Sequence, residues 1–215
     1  AGAQGPCFYV SLPLNLDLIA PFPSSCYNPL YREGFALDLV KVEVLFDRET
    51  LKKKVAEMGK QISRDYKGRD LLVVGILKGA FVFMADLIRE MEVPVELDFM
   101  DVSSYGISTS SSGEVRIVKD LEYSIKDRDV LIVEDIVDTG LTLKYICEIL
   151  RNRNPRSLRI ACLLDKPSRR KTDIHPDYVG YTIPDKFVVG YGLDYAEQYR
   201  HYPAVCVLKP AVYEN

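Results

Sequence analysis

The sequence predicts an α/β fold in which a mostly parallel, twisted sheet is flanked by helices. Near-continuous apolar runs at residues 71–77 and 130–133 are typical of strands that are buried on both faces. These runs alternate with segments whose apolar residues recur at helical spacing, which is the pattern of a parallel sheet covered by helices. Short polar or glycine-containing segments separate the two kinds of pattern and indicate the connecting loops.

Composition restricts the classes of function. The chain has 215 residues, of which 47% are hydrophobic and 27% charged, so it can bury one substantial core and is not mainly disordered. Its net charge is −3, which offers no global basic field for nucleic acid or an anionic membrane. No apolar stretch approaches the ~20 residues that span a bilayer. We therefore expect no nucleic-acid partner and no membrane partner.

Cysteine and histidine usage favours a reduced, cytoplasmic protein. The five cysteines are odd in number and form no CxxC pair. The N-terminus does not resemble a signal peptide, because prolines interrupt its apolar run and Arg32 is the first basic residue. The two histidines, His175 and His201, do not readily build a zinc site or a catalytic triad.

The chain is expected to divide into an N-terminal arm and one domain. Residues 1–40 carry five of the twelve prolines and show little periodicity, so we expect an irregular arm, to which no function is assigned. Residues 41–215 are expected to form a single domain. Its first helix has a lysine run, 52–54, on the predicted solvent side. Its apolar face consists of Leu51, Val55, Met58 and Ile62.

The next elements are a strand at 71–77 and a helix that follows the Lys78-Gly79 pair. The apolar positions of this helix are Phe81, Met84, Leu87 and Ile88. A further strand is expected at 93–102. Residues 103–114 contain six serines and two glycines, which predicts a mobile loop before a strand at 115–118.

Residues 130–142 form the motif with the clearest chemical meaning. A buried strand ends at two adjacent carboxylates, Glu134 and Asp135, and Asp138 precedes a Thr-Gly-x-Thr turn that opens a helix. Unpaired N–H groups and the helix dipole favour a phosphate at such an N-terminus. The residues of the turn are Thr139, Gly140 and Thr142. The spacing therefore predicts a site for a ribose phosphate.

Glu134 and Asp135 could accept hydrogen bonds from vicinal ribose hydroxyls or help to hold a divalent ion. Spacing alone leaves a simpler interpretation open, in which an ordinary strand, an acidic loop and a capped helix follow one another by chance, since Thr and Asp are common N-caps.

The remaining elements are strands and one short helix. Strands are expected at 158–164, 178–183, 187–189 and 204–208, and the short helix near 195–199. Ligands of parallel α/β sheets bind beyond the carboxyl ends of the strands. Lys78, the carboxylates of the 130–142 motif and the loop after residue 164 should therefore lie along one edge.

Five separated segments, spread over residues 41–212, resemble the purine salvage phosphoribosyltransferases, and among them the hypoxanthine-guanine phosphoribosyltransferase family. The resemblance implies a type I phosphoribosyltransferase-like fold with a small hood lobe built from N- and C-terminal segments. The segments are Leu77-Lys78-Gly79, Ser104-Tyr105-Gly106, residues 130–142, Leu163-Leu164-Asp165-Lys166, and 185–191 with Leu193-Asp194-Tyr195.

The resemblance implies an enzyme that joins hypoxanthine or guanine to 5-phosphoribosyl 1-pyrophosphate (PRPP), giving IMP or GMP and pyrophosphate. Its implied cofactor is Mg²⁺, with Asp194 as the direct ligand and Glu134 and Asp135 as further candidates. It also implies a homodimer or homotetramer. Positive charge on the ribose and negative charge on the leaving group would be stabilised mainly by positioning and electrostatics.

The resemblance also assigns residues to the two substrates. Lys78, Gly79 and Arg200 would contact pyrophosphate. The peptide bond that precedes Lys78 is often cis in the family. Ser104 and Tyr105 would belong to the mobile loop that closes over it. Asp138 is the candidate proton acceptor at purine N7, in addition to lining the PRPP site.

Three residues would contact the purine. Lys166 donates hydrogen bonds and accepts none, so it suits the 6-oxo group of hypoxanthine or guanine. Phe187 would stack on the ring, and the Val188 carbonyl could meet a 2-amino group. One position departs from the family pattern, because Leu141 stands where some members have lysine.

Two alternatives stay open at this point. One is a phosphoribosyltransferase that prefers xanthine, and the other is a regulator of the same fold that senses PRPP or nucleotides and binds nucleic acid.

Overall fold

The computed structural model describes residues 41–104 and 115–213. The predicted N-terminal arm, residues 1–40, lies outside the described residues, as do 105–114 of the predicted mobile loop. Within the described part of the chain, no helix combines the length and the apolar character needed to cross a membrane.

The described elements alternate as the sequence predicts. The helices are α1 (Arg48–Asp65), α2 (Phe81–Arg89) and α3 (Leu141–Arg151), with short 3-10 turns at Pro167–Arg169 and Pro210–Val212. The strands are β1 (Val42–Phe46), β2 (Leu71–Leu77), β3 (Val95–Ser104), β4 (Val115–Lys119), β5 (Asp129–Val137), β6 (Ser157–Asp165), β7 (Tyr178–Thr182), β8 (Val188–Val189) and β9 (Val205–Leu208).

Six strands form the larger sheet in the order β4-β3-β2-β5-β6-β7. All neighbouring pairs are parallel except β3 with β4. Leu71 pairs with Asp129, and Asp129 pairs with Ser157, so the amino ends of β2, β5 and β6 are level. Their carboxyl ends therefore meet at one edge, and the predicted parallel α/β architecture is confirmed.

The larger sheet is buried on both faces because alternate side chains of each strand point in opposite directions. Val73 and Leu131 pack on one face with α1 and α2. Val74 and Ile132 pack on the other face with α3. These positions have no exposed surface, which accounts for the continuous apolar runs in the sequence.

Helix α1 begins where Asp47 accepts a hydrogen bond from the Thr50 N–H at 2.8 Å, a side-chain N-cap. Its predicted apolar face is buried, whereas Lys52 and Lys53 are exposed. The apolar face of α2 differs from the prediction. Phe83 is fully buried in place of Phe81, which is 45% exposed, because the buried arc of this short helix runs through positions 80, 83, 84 and 87.

A second, antiparallel sheet has the order β1-β9-β8. Val42 of β1 pairs with Leu208 of β9, so the start of the described chain joins its C-terminal strands, as the resemblance implies for a hood lobe. The pattern analysis did not identify β1 as a strand. Its single buried residue, Val42, is too weak a signal, and pairing with β9 makes it a strand.

The predicted short helix near 195–199 is wrong. The Asp194 carboxylate accepts a hydrogen bond from the Glu197 N–H at 2.9 Å, which folds these residues into a tight turn with a bridge between Tyr195 and Gln198. Ala196, Glu197 and Tyr199 adopt positive φ values, which a right-handed helix excludes.

Strand β3 also runs beyond its predicted end. Ser103 and Ser104 pair with Arg116 and Val115 of β4, so the backbone of both serines belongs to a strand and not to the predicted loop.

Candidate functional site

A cavity of about 260 Å³ opens at the carboxyl edge of the larger sheet. Its walls are the ends of β2, β3 and β5 and the first turn of α3. All six residues predicted to hold the ribose phosphate line it: Glu134, Asp135, Asp138, Thr139, Gly140 and Thr142. They lie on one continuous stretch of chain, from the carboxyl end of β5 to the first turn of α3, and β5 pairs with β2 in the sheet.

Gly140 determines the shape of the phosphate-binding turn. Its φ is 78°, in the left-handed region that glycine tolerates best. A Cβ at this position would collide with the Thr172 hydroxyl and lie 2.9 Å from the Arg170 Cδ. Because the N-cap of α3 is a glycine without a side chain, no N-cap side chain competes with an anion for the amides of the first helical turn.

Arg170 stabilises this turn through hydrogen bonds to its backbone. Its guanidinium donates hydrogen bonds to the carbonyls of Asp138 at 3.1 Å and Val137 at 3.2 Å, and it forms an ion pair with Asp165. The Lys171 N–H donates to the Thr139 carbonyl at 2.9 Å. No role is predicted for Arg170 from the sequence, since no local pattern distinguishes a bracing arginine from an exposed one.

Glu134 and Asp135 are carboxyl groups in a poorly solvated environment. Burial raises the pKa of Asp135 to about 6, against the opposing effect of Arg200, and Asp194 adds to the rise. Burial and the neighbouring Asp135 raise the pKa of Glu134 well above its ordinary value. Two half-buried acceptors, adjacent in the chain, suit vicinal hydroxyls or a cation, either of which would stabilise their charge.

The residues predicted to bind pyrophosphate lie near the same edge of the sheet. The Lys78 Nζ lies 3.1 Å from the Glu197 Oε2, and one terminal nitrogen of Arg200 lies 2.8 Å from the Asp194 Oδ1. The other terminal nitrogen of Arg200 donates to the Gly192 carbonyl at 2.9 Å. Glu197, which contacts both cations, is not predicted from the sequence, because no local pattern marks it.

The turn after β2 lies against the carboxylates. The Leu77–Lys78 peptide bond is cis, the isomer that the resemblance associates with this segment. A Cβ at Gly79 would overlap the Asp135 carboxylate, and one at Gly192 would overlap the Gly79 carbonyl. Both glycines are therefore needed for the close approach of these backbones.

The three predicted purine-contacting residues lie on two neighbouring segments. Lys166 is buried, with its Nζ 3.8 Å from the Asp185 Oδ1, and burial lowers its pKa. The Val188 side chain is buried, whereas Phe187 is 40% exposed and so offers ring surface. The Phe187 ring stacks on Tyr213 at a centroid distance of 5.3 Å.

Asp138 forms an ion pair with Arg169. Its Oδ1 lies 2.6 Å from the Arg169 Nε, and Arg169 also contacts Asp185 at 3.3 Å. The sequence analysis assigned no role to Arg169 or Asp185, because a charge pair between separate loops leaves no trace in local spacing.

The structure does not describe every predicted residue. Tyr105 lies outside the described residues, and of Ser104 only the backbone is described. Among residues 41–104 and 115–213, no group of three or more His, Cys, Asp or Glu side chains is arranged to hold a metal ion. Asp194 lies near enough to influence Asp135 but is ion-paired with Arg200.

These features define a class of α/β protein with a glycine-capped helix N-terminus and adjacent carboxylates at the carboxyl edge of a parallel sheet, and with a buried lysine and an exposed aromatic ring on neighbouring segments. The phosphoribosyl transferase domain family matches residues 41–196 of the chain. The hypoxanthine-guanine phosphoribosyltransferase of Bacillus subtilis is 57% identical over 173 residues, which cover 80% of this chain and 96% of that protein.

Solved structures agree with this placement. A crystal structure of a hypoxanthine phosphoribosyltransferase from Staphylococcus aureus has a TM-score of 0.78 at 55% identity and covers 80% of this chain and 94% of its own. A hypoxanthine-guanine phosphoribosyltransferase from Bacillus anthracis has a TM-score of 0.74 at 43% identity, with coverage of 79% and 99%. The chain belongs to the phosphoribosyl transferase family and, within it, to the hypoxanthine-guanine phosphoribosyltransferases.

Proposed function

We propose that this protein transfers the 5-phosphoribosyl group of PRPP to hypoxanthine or guanine, giving IMP or GMP and pyrophosphate in purine salvage. One observation carries the proposal: the anion-binding N-terminus of α3 shares the carboxyl edge of the sheet with Asp138 and with the loop of the buried Lys166. The names of the relatives, at 55% and 57% identity, agree with it.

The phosphate-binding turn would hold the 5′-phosphate of the substrate. Backbone amides after Gly140 and the hydroxyls of Thr139 and Thr142 supply donors, and the helix dipole adds a favourable field. Glu134 and Asp135 would accept hydrogen bonds from the ribose hydroxyls. The sugar would then be held at both ends, which fixes its anomeric carbon relative to the base.

Asp138 would accept the proton from purine N7 while N9 attacks the anomeric carbon. A carboxylate on the cavity wall needs only hydrogen-bond reach to the ring N–H for this role. Its negative charge would also favour the positive charge that develops on the purine during transfer.

Lys166 would select the base. As a buried ammonium it donates hydrogen bonds, so a 6-oxo group would accept one from it, whereas the 6-amino group of adenine would offer it no acceptor. Phe187 would stack on the ring, and the Val188 carbonyl would meet the 2-amino group of guanine. Xanthine carries an oxygen where guanine has the 2-amino group, and the Val188 carbonyl would not donate to it, so a xanthine-preferring enzyme is the less favoured alternative.

Lys78 and Arg200 would stabilise the leaving pyrophosphate. In the structure their charges are paired with Glu197 and Asp194, so substrate phosphates would replace carboxylates that already occupy these positions. Ser104 and Tyr105 would complete this side of the site by covering the pyrophosphate and excluding water.

The proposed cofactor is Mg²⁺, with Asp194 as direct ligand and Glu134 and Asp135 as further candidates. These groups supply the hard oxygen atoms that Mg²⁺ prefers. Mg²⁺ that is bound together with substrate phosphates would need only one or two protein carboxylates. The described residues offer no cluster of three or more ligands that could hold a metal alone. When bound, the ion would neutralise part of the pyrophosphate charge.

We also propose that the protein is a cytoplasmic homodimer or homotetramer. The buried free thiols of Cys147, Cys162 and Cys206 suit a reducing compartment, and the oligomeric state follows only the family resemblance.

The decisive experiment measures nucleotide formation from PRPP and each of hypoxanthine, guanine, xanthine and adenine, with Mg²⁺ and after its removal by EDTA. We expect IMP and GMP, little product from adenine, and loss of activity with EDTA. Failure with all four bases would end the enzyme proposal, and faster use of xanthine would favour the alternative specificity.

A further inference from the structure

Arg169 lies between two carboxylates at the purine side of the site. Its Nε is 2.6 Å from the Asp138 Oδ1, and its NH1 is 3.3 Å from the Asp185 Oδ2. It ends the 3-10 turn Pro167–Arg169, which directly follows Lys166. The side chain is 45% exposed, so the pairs lie at the protein surface, where ion pairs contribute little to stability.

The contact with Asp138 affects how that carboxylate can be used. The Asp138 Oδ1 is buried and has no hydrogen-bond partner among the described residues, but it forms an ion pair with the Arg169 Nε at 2.6 Å. The second oxygen of the same group is then the one to meet a ligand in the cavity. A planar guanidinium holds a carboxylate in a defined orientation better than a mobile ammonium does. Arg169 can therefore hold the proposed proton acceptor in one direction.

Asp185 extends the contact to the other purine-reading group. It contacts Arg169, and its Oδ1 lies 3.8 Å from the Lys166 Nζ. The four side chains form a chain of alternating charge: Asp138, Arg169, Asp185 and Lys166. This chain joins the group proposed for purine N7 to the group proposed for the 6-oxo oxygen.

Purine N7 and the 6-oxo oxygen lie side by side on one edge of the base. Two protein groups that contact them together must keep a matching separation. We propose that Arg169 is a positioning residue, which orients Asp138 directly and keeps it in register with Lys166 through Asp185. The inference rests on the proposed transfer reaction and adds a residue that does not itself touch the substrate.

The first test is steady-state kinetics of Arg169→Gln. We expect kcat with hypoxanthine to fall by about ten- to a hundredfold, as for a misoriented catalytic group, with the KM for PRPP unchanged. Arg169→Lys, which keeps the charge but not the planar fork, should recover only part of kcat. The matched control is Arg153→Gln, an arginine paired with Asp120 at 2.8 Å beyond the far end of α3, which should behave as wild type.

The second test is a double-mutant comparison in the Asp138→Asn background. If Arg169 acts through Asp138, adding Arg169→Gln there should not lower kcat further. A full additional loss would overturn the inference, and so would wild-type kinetics of Arg169→Gln at an unchanged thermal midpoint. A wild-type protein that made no nucleotide would instead overturn the proposed function itself, so the two failures are distinguishable.

Discussion

Single side chains at this site owe their chemistry to their surroundings. Burial lowers the pKa of the Lys166 ammonium and raises that of the Asp135 carboxyl, so each charged form gains most from a ligand that pairs with it. Lys78 pairs with Glu197, and Arg200 pairs with Asp194. The positive charges that we propose for phosphate binding are therefore already neutralised by carboxylates of the protein.

At this scale, Asp138→Asn tests the proton acceptor. The amide keeps the size of the side chain but is a weak base, so we expect kcat to fall about a hundredfold or more while the KM for PRPP changes little. Initial rates at varied PRPP and hypoxanthine concentrations measure both. Asp173→Asn, a change at an exposed aspartate, is the control, and wild-type turnover of Asp138→Asn would refute the role.

Lys166→Met tests selection of the base. The apolar side chain fills the same buried space but donates no hydrogen bond, so use of hypoxanthine should drop by about ten- to a hundredfold and discrimination against adenine should weaken. Ratios of kcat/KM for hypoxanthine and adenine measure the change. Lys186→Met, at an exposed lysine beside Phe187, should leave both ratios intact; unchanged specificity of Lys166→Met would exclude it from the site.

The residues of the candidate site lie at the ends of strands and at the start of a helix, and not in the interiors of these elements. β5 presents Glu134 and Asp135 near its carboxyl end, after a run of five buried residues. The chain then enters α3 through a left-handed glycine, the geometry that we propose binds an anion. The loop from 166 to 174 belongs to the same unit, since it packs beneath that entry through Arg170 and Lys171.

Gly140→Ala and Gly68→Ala separate backbone strain from crowding. Both glycines have a φ near 75°, so each substitution should cost about 1 kcal/mol in the free energy of unfolding. Only at Gly140 would the new Cβ meet neighbours, because nothing lies within 4 Å of a Cβ at Gly68. We therefore expect the KM for PRPP to rise in Gly140→Ala alone; an equal rise in both variants would contradict this account.

Asp98 holds the antiparallel edge of the larger sheet. Its carboxylate accepts hydrogen bonds from the Glu122 N–H at 2.8 Å and the Lys119 Nζ at 3.0 Å. Burial opposes its ionisation, but these bonds and one from the Phe99 N–H outweigh burial and lower its pKa. A lowered pKa in the folded state means that Asp98 stabilises the fold at pH values above its unfolded pKa, and that this stabilisation is lost as the pH falls.

Asp98→Asn should therefore destabilise the protein by about 2 kcal/mol at neutral pH, and the difference from wild type should shrink below about pH 4. Urea unfolding at a series of pH values measures it. The control is Asp70→Asn, at an exposed residue before β2, and a pH-independent difference for Asp98→Asn would show that its charge is not involved.

The whole molecule combines a large parallel sheet, whose edge carries the phosphate site, with a small antiparallel sheet formed by β1, β8 and β9. Phe187 and Val188 reach the purine side through β8, which is held by β9, which in turn pairs with β1. The proposed recognition of the base by these two residues would thus depend on the pairing of the first described strand with the last.

Net charge yields a prediction for the molecule as a whole. At −3, we expect no measurable retention of RNA or DNA in a filter-binding assay at physiological salt. The same assay at low salt is the internal control, because electrostatic binding strengthens as salt is removed. Salt-dependent retention at physiological ionic strength would favour the regulatory alternative.

Residue type and periodicity predicted the strands of the larger sheet and the motif at its edge. Strand 71–77, the buried face of α1 and the turn around Gly140 follow from periodicity and from backbone preferences, which act within a few residues. The family resemblance supplied the hood and the roles of distant residues such as Arg200.

Contacts between groups that are distant in the chain become visible in the folded protein alone. The turn at 195–199, the burial of Phe83 in place of Phe81, the brace of Arg170 and the pairing of Arg169 with Asp138 all depend on partners from other segments. An arginine in a basic loop has the same local pattern whether it faces solvent or a carboxylate. Its role is decided when folding brings the opposite charge within a few ångströms, where Coulomb attraction and hydrogen-bond geometry become strong.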